Sequence, residues 1–181
     1  EIPSRLVGSE MCIRDRVAIY YDSPITNSKS KLTYNELKFK VEEFAGALNK
    51  YNISKGDRVI VYMPMIPEAI IAVLAIARIG AVHSVVFGGF AAKELAVRID
   101  DCSPKLIISA SCGIEPGRIV EYKPLLDEAI KLSNHKVKNC IIFQREQLVV
   151  KLNADLDVSW NEAIEDVKPA DIVPVKGNDP L

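Results

Sequence analysis

The sequence predicts an α/β fold, a layered and mostly parallel sheet with helices on both faces, and three observations carry that prediction. Short apolar runs rich in β-branched residues recur along the chain: RVIVYM (58–63), AVHSVVF (81–87), KLIISA (105–110) and NCIIFQ (139–144). Between them lie stretches of about ten residues with apolar positions at helical spacing. The strand runs are continuously apolar rather than alternating, as a parallel sheet covered on both sides requires. Strand alternating with helix implies βαβ crossovers, and such sheets take ligands at the carboxyl ends of their strands.

The elements follow in order. Thr33 and Glu36 have capping-box spacing, and Leu37, Val41, Phe44, Ala45 and Leu48 recur helically after them, which predicts an amphipathic helix over 34–50. Lys55-Gly56-Asp57 makes a turn, strand 58–63 follows, and Pro64 ends it. Pro67 suits the first residue of a second helix, with Ile70, Val73, Leu74 and Ala77 sharing a face and Gly80 as its stop. After strand 81–87 come a helix near 91–101, strand 105–110, a helix near 124–133, strand 139–144 and a short helix around 160–166. Residues 145–158 mix charges with scattered Leu and Val and read as a surface excursion without a period.

Composition places the chain among ordinary globular domains: 49% of its 181 residues are hydrophobic and 26% charged, with a net charge of −1. That balance argues against a nucleic-acid partner. The longest apolar-rich run, 69–79, contains Arg78 and falls well short of the roughly 20 residues needed to span a bilayer, so no membrane partner is expected. Cys102, Cys112 and Cys140 lack any paired zinc spacing and are expected to be buried free thiols.

Segment 1–16 stands apart. It has neither strand nor helix period, and its charges interrupt every apolar run that a secretory leader would need. Leu6 to Asp15 resemble the one-frame translation of a transposase-end sequencing adaptor, CTC GTG GGC TCG GAG ATG TGT ATA AGA GAC. Residues 1–16 are therefore expected to be adaptor-derived and the domain to occupy 17–181. The closing PVKGNDPL stops where an apolar stretch is expected to follow a turn, so the chain reads as cut at both ends.

Two loops stand where chemistry is expected. FGGF (87–90) follows a strand and precedes a helix, so Gly88 and Gly89 lie where backbone can approach a ligand and helix N–H groups can face an anion. The same spacing suits a tight strand-to-helix turn with no ligand. GIEPGR (113–118) also follows a strand, and Arg118 offers a planar fork of donors suited to phosphate, although the segment reads equally as a plain loop. If the preceding strands are parallel, the two loops meet on one edge. His83 reads as a hydrogen-bonded core residue, and Arg98, Asp100 and Asp101 as a solvated helix end.

The run YMPMIPEAIIAVLAIARIGAVHSVVFGGFAAKELAVRIDDCSPKLIISASCGIEPGR (62–118), with LTYNEL, KGDRV, DSPIT and the closing NDPL in the same order, resembles the short-chain acyl-CoA synthetases of the AMP-forming, adenylating superfamily. The resemblance covers 17–181. It implies part of a large N-terminal domain of an AMP-binding enzyme that turns a short-chain carboxylate, ATP and CoA into acyl-CoA, AMP and pyrophosphate through an acyl-adenylate. GIEPGR followed by EYKPLLDEA is most like the propionate branch, since acetate enzymes tend to carry arginine where Glu115 stands.

The family's site for the nucleotide end of CoA implies Phe87, Gly88, Gly89 and Arg118 here, with Glu115, Pro116 and Gly117 completing the loop. The phosphate loop for ATP, the acyl pocket, the catalytic lysine and the parts serving Mg2+ come after NDPL in that family, so no catalytic residue and no metal ligand are named within the chain. The implied partners are small-molecule substrates in the cytosol or mitochondrial matrix, with the compartment and oligomeric state left open. Alternative readings are a free-standing nucleotide- or CoA-binding module without catalysis, and another acyl-adenylating ligase.

Overall fold

The computed structural model describes residues 13–181; the expectation for the first sixteen residues lies, over 1–12, outside the described residues. From there the chain runs β1 (Val17–Ser23), β2 (Ser28–Thr33), α1 (Tyr34–Lys50), β3 (Arg58–Tyr62), α2 (Pro67–Arg78), β4 (Val82–Val85), α3 (Ala92–Cys102), β5 (Leu106–Ala110), β6 (Cys112–Glu115), β7 (Arg118–Glu121), α4 (Tyr122–Leu132), β8 (Asn139–Phe143), β9 (Asp157–Ser159) and α5 (Trp160–Ile164).

Five strands form one sheet in the order β4-β3-β5-β8-β9, and every pairing in it is parallel. Its central strands are buried on both faces because successive side chains serve opposite cores. Val59, Val61, Leu106, Ile108 and Ile141 pack beneath α1, α2 and α5. Ile60, Tyr62, Ile107, Cys140 and Ile142 pack beneath α3 and α4. The expected arrangement, a parallel sheet with helices on both faces, is the one observed.

Local chemistry explains the boundaries. The Glu36 backbone N–H donates to Thr33 Oγ1 at 3.2 Å while the Thr33 N–H donates to Glu36 Oε2 at 2.8 Å, so the box caps α1 as its spacing predicts. α2 starts on Pro67, and Gly80, at φ +69, turns the chain away after its end. Trp160 stacks on Phe44 with ring centroids 3.8 Å apart, which seats α5 on α1.

Four sequence expectations are corrected. The buried face of α2 is Ile71, Ala72, Ala75 and Ile76, whereas Ile70 and Leu74 are about 40% exposed. This helix is apolar all round, so spacing alone does not select its inner side. His83 lies half-buried on edge strand β4, and its Nδ1 is buried without a hydrogen-bond partner. Asp100 is no idle solvated charge: it accepts from the backbone N–H groups of Asn134 and His135 at 2.8 and 2.9 Å, tying the end of α3 to the turn after α4. Cys112 and Cys140 are buried thiols as expected, but Cys102 is only half-buried.

The 145–158 excursion resolves into an Arg145–Leu148 bridge and then β9, whose anchoring is electrostatic. Lys123, on the first turn of α4, pairs with Asp127 and, at 2.9 Å, with Asp157 at the start of β9. Lys123 and Asp157 side chains are 5% and 0% exposed. A last segment, 165–179, has no regular structure and lies as a strap across α1 and α2. The Ala170 N–H donates to Glu42 O at 2.9 Å, Arg78 Nε donates to Ala170 O at 2.8 Å, and Lys55 Nζ reaches Pro174 O at 3.1 Å.

Candidate functional site

The chain passes from β3 out to β4, then crosses back over β3 to β5 on its other side and continues to β8 and β9. A crevice opens at the carboxyl ends of the strands where the order reverses in this way. Here a cleft of about 320 Å³ is lined by the loops after β3, β4 and β5 and by Arg145 after β8.

The FGGF segment forms one wall. The Val86 N–H donates to Val61 O at 2.9 Å, extending the β4 pairing by one residue, and the Phe90 N–H donates to Phe87 O at 3.1 Å, closing a tight turn with Gly88 and Gly89 at its centre. Tyr62 Oη donates to Phe90 O at 3.1 Å and holds the turn from below. The Phe87 ring is 71% exposed and meets Phe90 edge-on. α3 starts two residues beyond the turn, and its cap, Ala91, offers its first amides no side-chain acceptor.

Gly88 has a reason of its own to lack a side chain. A Cβ there would stand 2.1 Å from Tyr122 Oη, and one on Gly113 would stand 2.5 Å from the same oxygen. Tyr122, the first residue of α4, thus wedges its ring between the two glycine-bearing segments, and its ring centroid is 4.9 Å from that of Tyr62. Burial pushes the Tyr62 phenol up to about 12, and it also raises that of Tyr122, where Arg145 opposes and Glu115 adds to the shift. Both remain protonated, neutral packing groups at physiological pH.

GIEPGR is a hairpin rather than a plain loop. β6 and β7 pair antiparallel in the register Glu115↔Arg118, with Pro116 and Gly117 at the tip and Gly117 at φ +79, the residue pair that a type II turn favours. That register sets Arg118 against Glu115, with Nη2 to Oε2 at 2.7 Å and Nε to the same oxygen at 2.8 Å. The Arg118 side chain is 69% exposed.

The structure therefore brings Phe87, Gly88, Gly89 and Glu115 onto one cleft, while Pro116, Gly117 and Arg118 stand beyond it at the hairpin tip. Arg98 lies elsewhere, in a shallow surface depression along α3. Sequence reasoning missed Tyr122 and Arg145 as cleft residues, and Tyr62 as the buried support of the turn. For Arg145 the signal was its place directly after an apolar strand, the same logic that singled out the two loops.

The family model described as AMP-binding enzyme matches residues 12–181. The human acyl-CoA synthetase short-chain family member 3, mitochondrial, is 49% identical over 168 residues, covering 92% of this chain and 24% of its own length. The acetyl-coenzyme A synthetase of Pasteurella multocida is 43% identical over 148 residues, covering 82% of this chain and 22% of its own length. Among solved structures, the acyl-CoA synthetase of Brucella canis superposes with a TM-score of 0.73 at 22% identity, covering 91% of this chain and 27% of its own, a likeness of fold. The chain spans about a quarter of the length of the curated relatives it matches.

Proposed function

Because the chain belongs to the AMP-binding enzyme family, we propose that it is part of a ligase that converts a short-chain carboxylate, ATP and CoA to acyl-CoA, AMP and pyrophosphate through an acyl-adenylate. Propionate is the favoured acid and acetate the second. Within that enzyme this chain seats the nucleotide end of CoA, with Phe87 as the platform for adenine, the Gly88-Gly89 turn approaching the ligand and the Glu115–Arg118 hairpin tip closing the rim. The single observation that carries the reading is the convergence of both loops on the carboxyl edge of the sheet, with an exposed aromatic ring and a guanidinium fork beside it.

The chemistry fits the ligand in kind. Adenine needs a flat apolar face and the phosphates need charge-assisted donors, and Arg118 exchanges its Glu115 partner for a phosphate without moving its backbone. Replacing Arg118 by Ala in the complete ligase is expected to raise the KM for CoA about tenfold, the scale of one lost charge-assisted hydrogen-bond pair, and to leave the KM for ATP within about twofold. Steady-state kinetics varying each substrate checks this, and equal effects on both would remove the role.

In this reading ATP and magnesium are held by residues of the ligase other than 17–181. Among the described residues, no cluster of three His, Cys, Asp or Glu side chains is placed to hold a metal ion. Residues 17–181 are accordingly expected to release no pyrophosphate above background with ATP and propionate, as a coupled pyrophosphate assay measures. Among the described residues no helix is long and apolar enough to cross a membrane. The human relative is named as mitochondrial, and the cytosol or the mitochondrial matrix is the proposed compartment.

A further inference from the structure

Arg145 is a buried guanidinium that makes no ion pair among the described residues. It stands two residues beyond β8 at the carboxyl edge of the sheet, is only 9% exposed, and lines the cleft between the FGGF turn and the β6–β7 hairpin. Its backbone N–H donates to Ser111 Oγ at 2.9 Å and its Nη1 to Cys112 O at 3.2 Å, which fixes where the side chain starts and ends. Among the described residues no carboxylate lies within ion-pair distance of it.

A guanidinium taken this far from water without a counter-ion carries an uncompensated desolvation cost, and such sites persist where an anion arrives to offset it. The cleft has its own acid, Glu115, but the hairpin register turns that carboxylate outward to Arg118. The side-chain atoms that are buried without a partner among the described residues are His83 Nδ1 and Asp157 Oδ1. The remaining Arg145 nitrogens are not among them, so those donors keep some contact with solvent, and the side chain lies between this cleft and a neighbouring one bordered by Glu68 and Trp160.

We propose that Arg145 is a phosphate anchor at the floor of this cleft, an inner partner to Arg118 at the rim, and that its ligand is a phosphate group of a nucleotide. The inference rests on the reading above that the cleft receives the nucleotide end of CoA. It adds that a charge holding that phosphate comes from the loop after β8, outside both glycine-bearing segments. The guanidinium presents a planar fork matched to two phosphate oxygens, and its bond to Cys112 O holds it in place, so little further ordering is needed on binding.

The test is titration of the complete 181-residue chain, and of its variants, with adenosine 3′,5′-bisphosphate and with adenosine as the uncharged control, alongside thermal melting without ligand. For Arg145→Met the expected result is a loss of bisphosphate affinity of about tenfold or more with Tm unchanged or raised, because an unpaired buried charge has been removed. Arg145→Lys keeps the charge without the fork and is expected to lose about threefold. Adenosine binding is expected to be the same in all three. If Arg145→Met binds the bisphosphate as wild type does while Phe87→Ala or Arg118→Ala weakens it, the anchor is overturned and the cleft assignment stands. If Arg145→Met and Arg145→Lys lower Tm and affinity together, the residue is structural and the proposal fails. If the unaltered chain binds neither CoA nor the bisphosphate at millimolar concentration, the cleft assignment falls and takes the anchor with it.

Discussion

Replacing Lys123 by Met is expected to lower the unfolding free energy by about 3–5 kcal/mol, the cost of removing one partner from a buried ion pair. Asp157 loses its cation while its side chain is 0% exposed and its Oδ1 already lacks a partner. The remaining support for that carboxylate is the Asn153 N–H, 2.7 Å from Oδ2. Asp127 suffers less because its side chain is half in water. A Lys123→Met/Asp157→Leu double variant should recover most of the loss, since an apolar pair of similar volume replaces a buried ion pair at little net cost. Urea unfolding of the three proteins checks both statements, and a double variant as unstable as the single one would mean that β9 is held by something other than charge.

The pH dependence has a definite sign. Burial opposes the Lys123 ammonium, but hydrogen bonds and charge from Asp127 and Asp157 outweigh it and raise the pKa above the ordinary 10.5. A cation with a raised folded value contributes stability fully below its unfolded pKa and loses it as pH rises through the folded one. The difference between wild type and Lys123→Met should therefore be flat from pH 7 to 9 and shrink only above about pH 10.5.

The second large effect concerns Gly46, a buried residue in the C-terminal half of α1. Alanine at an interior helical position ordinarily stabilises by about 1 kcal/mol relative to glycine. Here a Cβ would stand 2.1 Å from the Lys168 carbonyl oxygen and 3.0 Å from its carbon, backbone atoms that cannot rotate aside. The strap must lift, and with it go the Ala170–Glu42 and Arg78–Ala170 hydrogen bonds. Gly46→Ala is expected to destabilise by about 2–3 kcal/mol, the range of a forced overpacking. Trypsin is expected to cut after Lys176 faster than in wild type, Lys168 being shielded by Pro169, and a rise in stability would show that the strap does not press on the helix.

Much of the fold was legible because the central elements declare themselves. The Thr33–Glu36 box, Pro67 and Gly80 mark helix ends by local chemistry, and strands buried on both faces leave continuous apolar runs. The hairpins were not legible for the opposite reason. SKSKLT of β2 is exposed along most of its length, so no alternation exists to be seen, and CGIE and RIVE are four residues each. β9 has three residues and is held by the Lys123–Asp157 pair, whose partners lie far apart in sequence and leave no local pattern. The site divides in the same way. The meeting of the FGGF turn and the GIEPGR segment followed from parallel strands alone, whereas Tyr122 and Arg145 enter the cleft through packing that only the assembled sheet defines.

The strand order β4-β3-β5-β8-β9 also bears on how the chain is born. β3 is the first sheet strand to be synthesised; β4 joins one side of it, β5 the other, β8 then adds to β5, and β9 to β8. Each strand leaving the ribosome thus meets an edge that already exists, and none has to be inserted between two neighbours. Assembly can keep pace with translation, which spares the nascent polypeptide the long wait with unpaired edges that makes parallel sheets prone to aggregate.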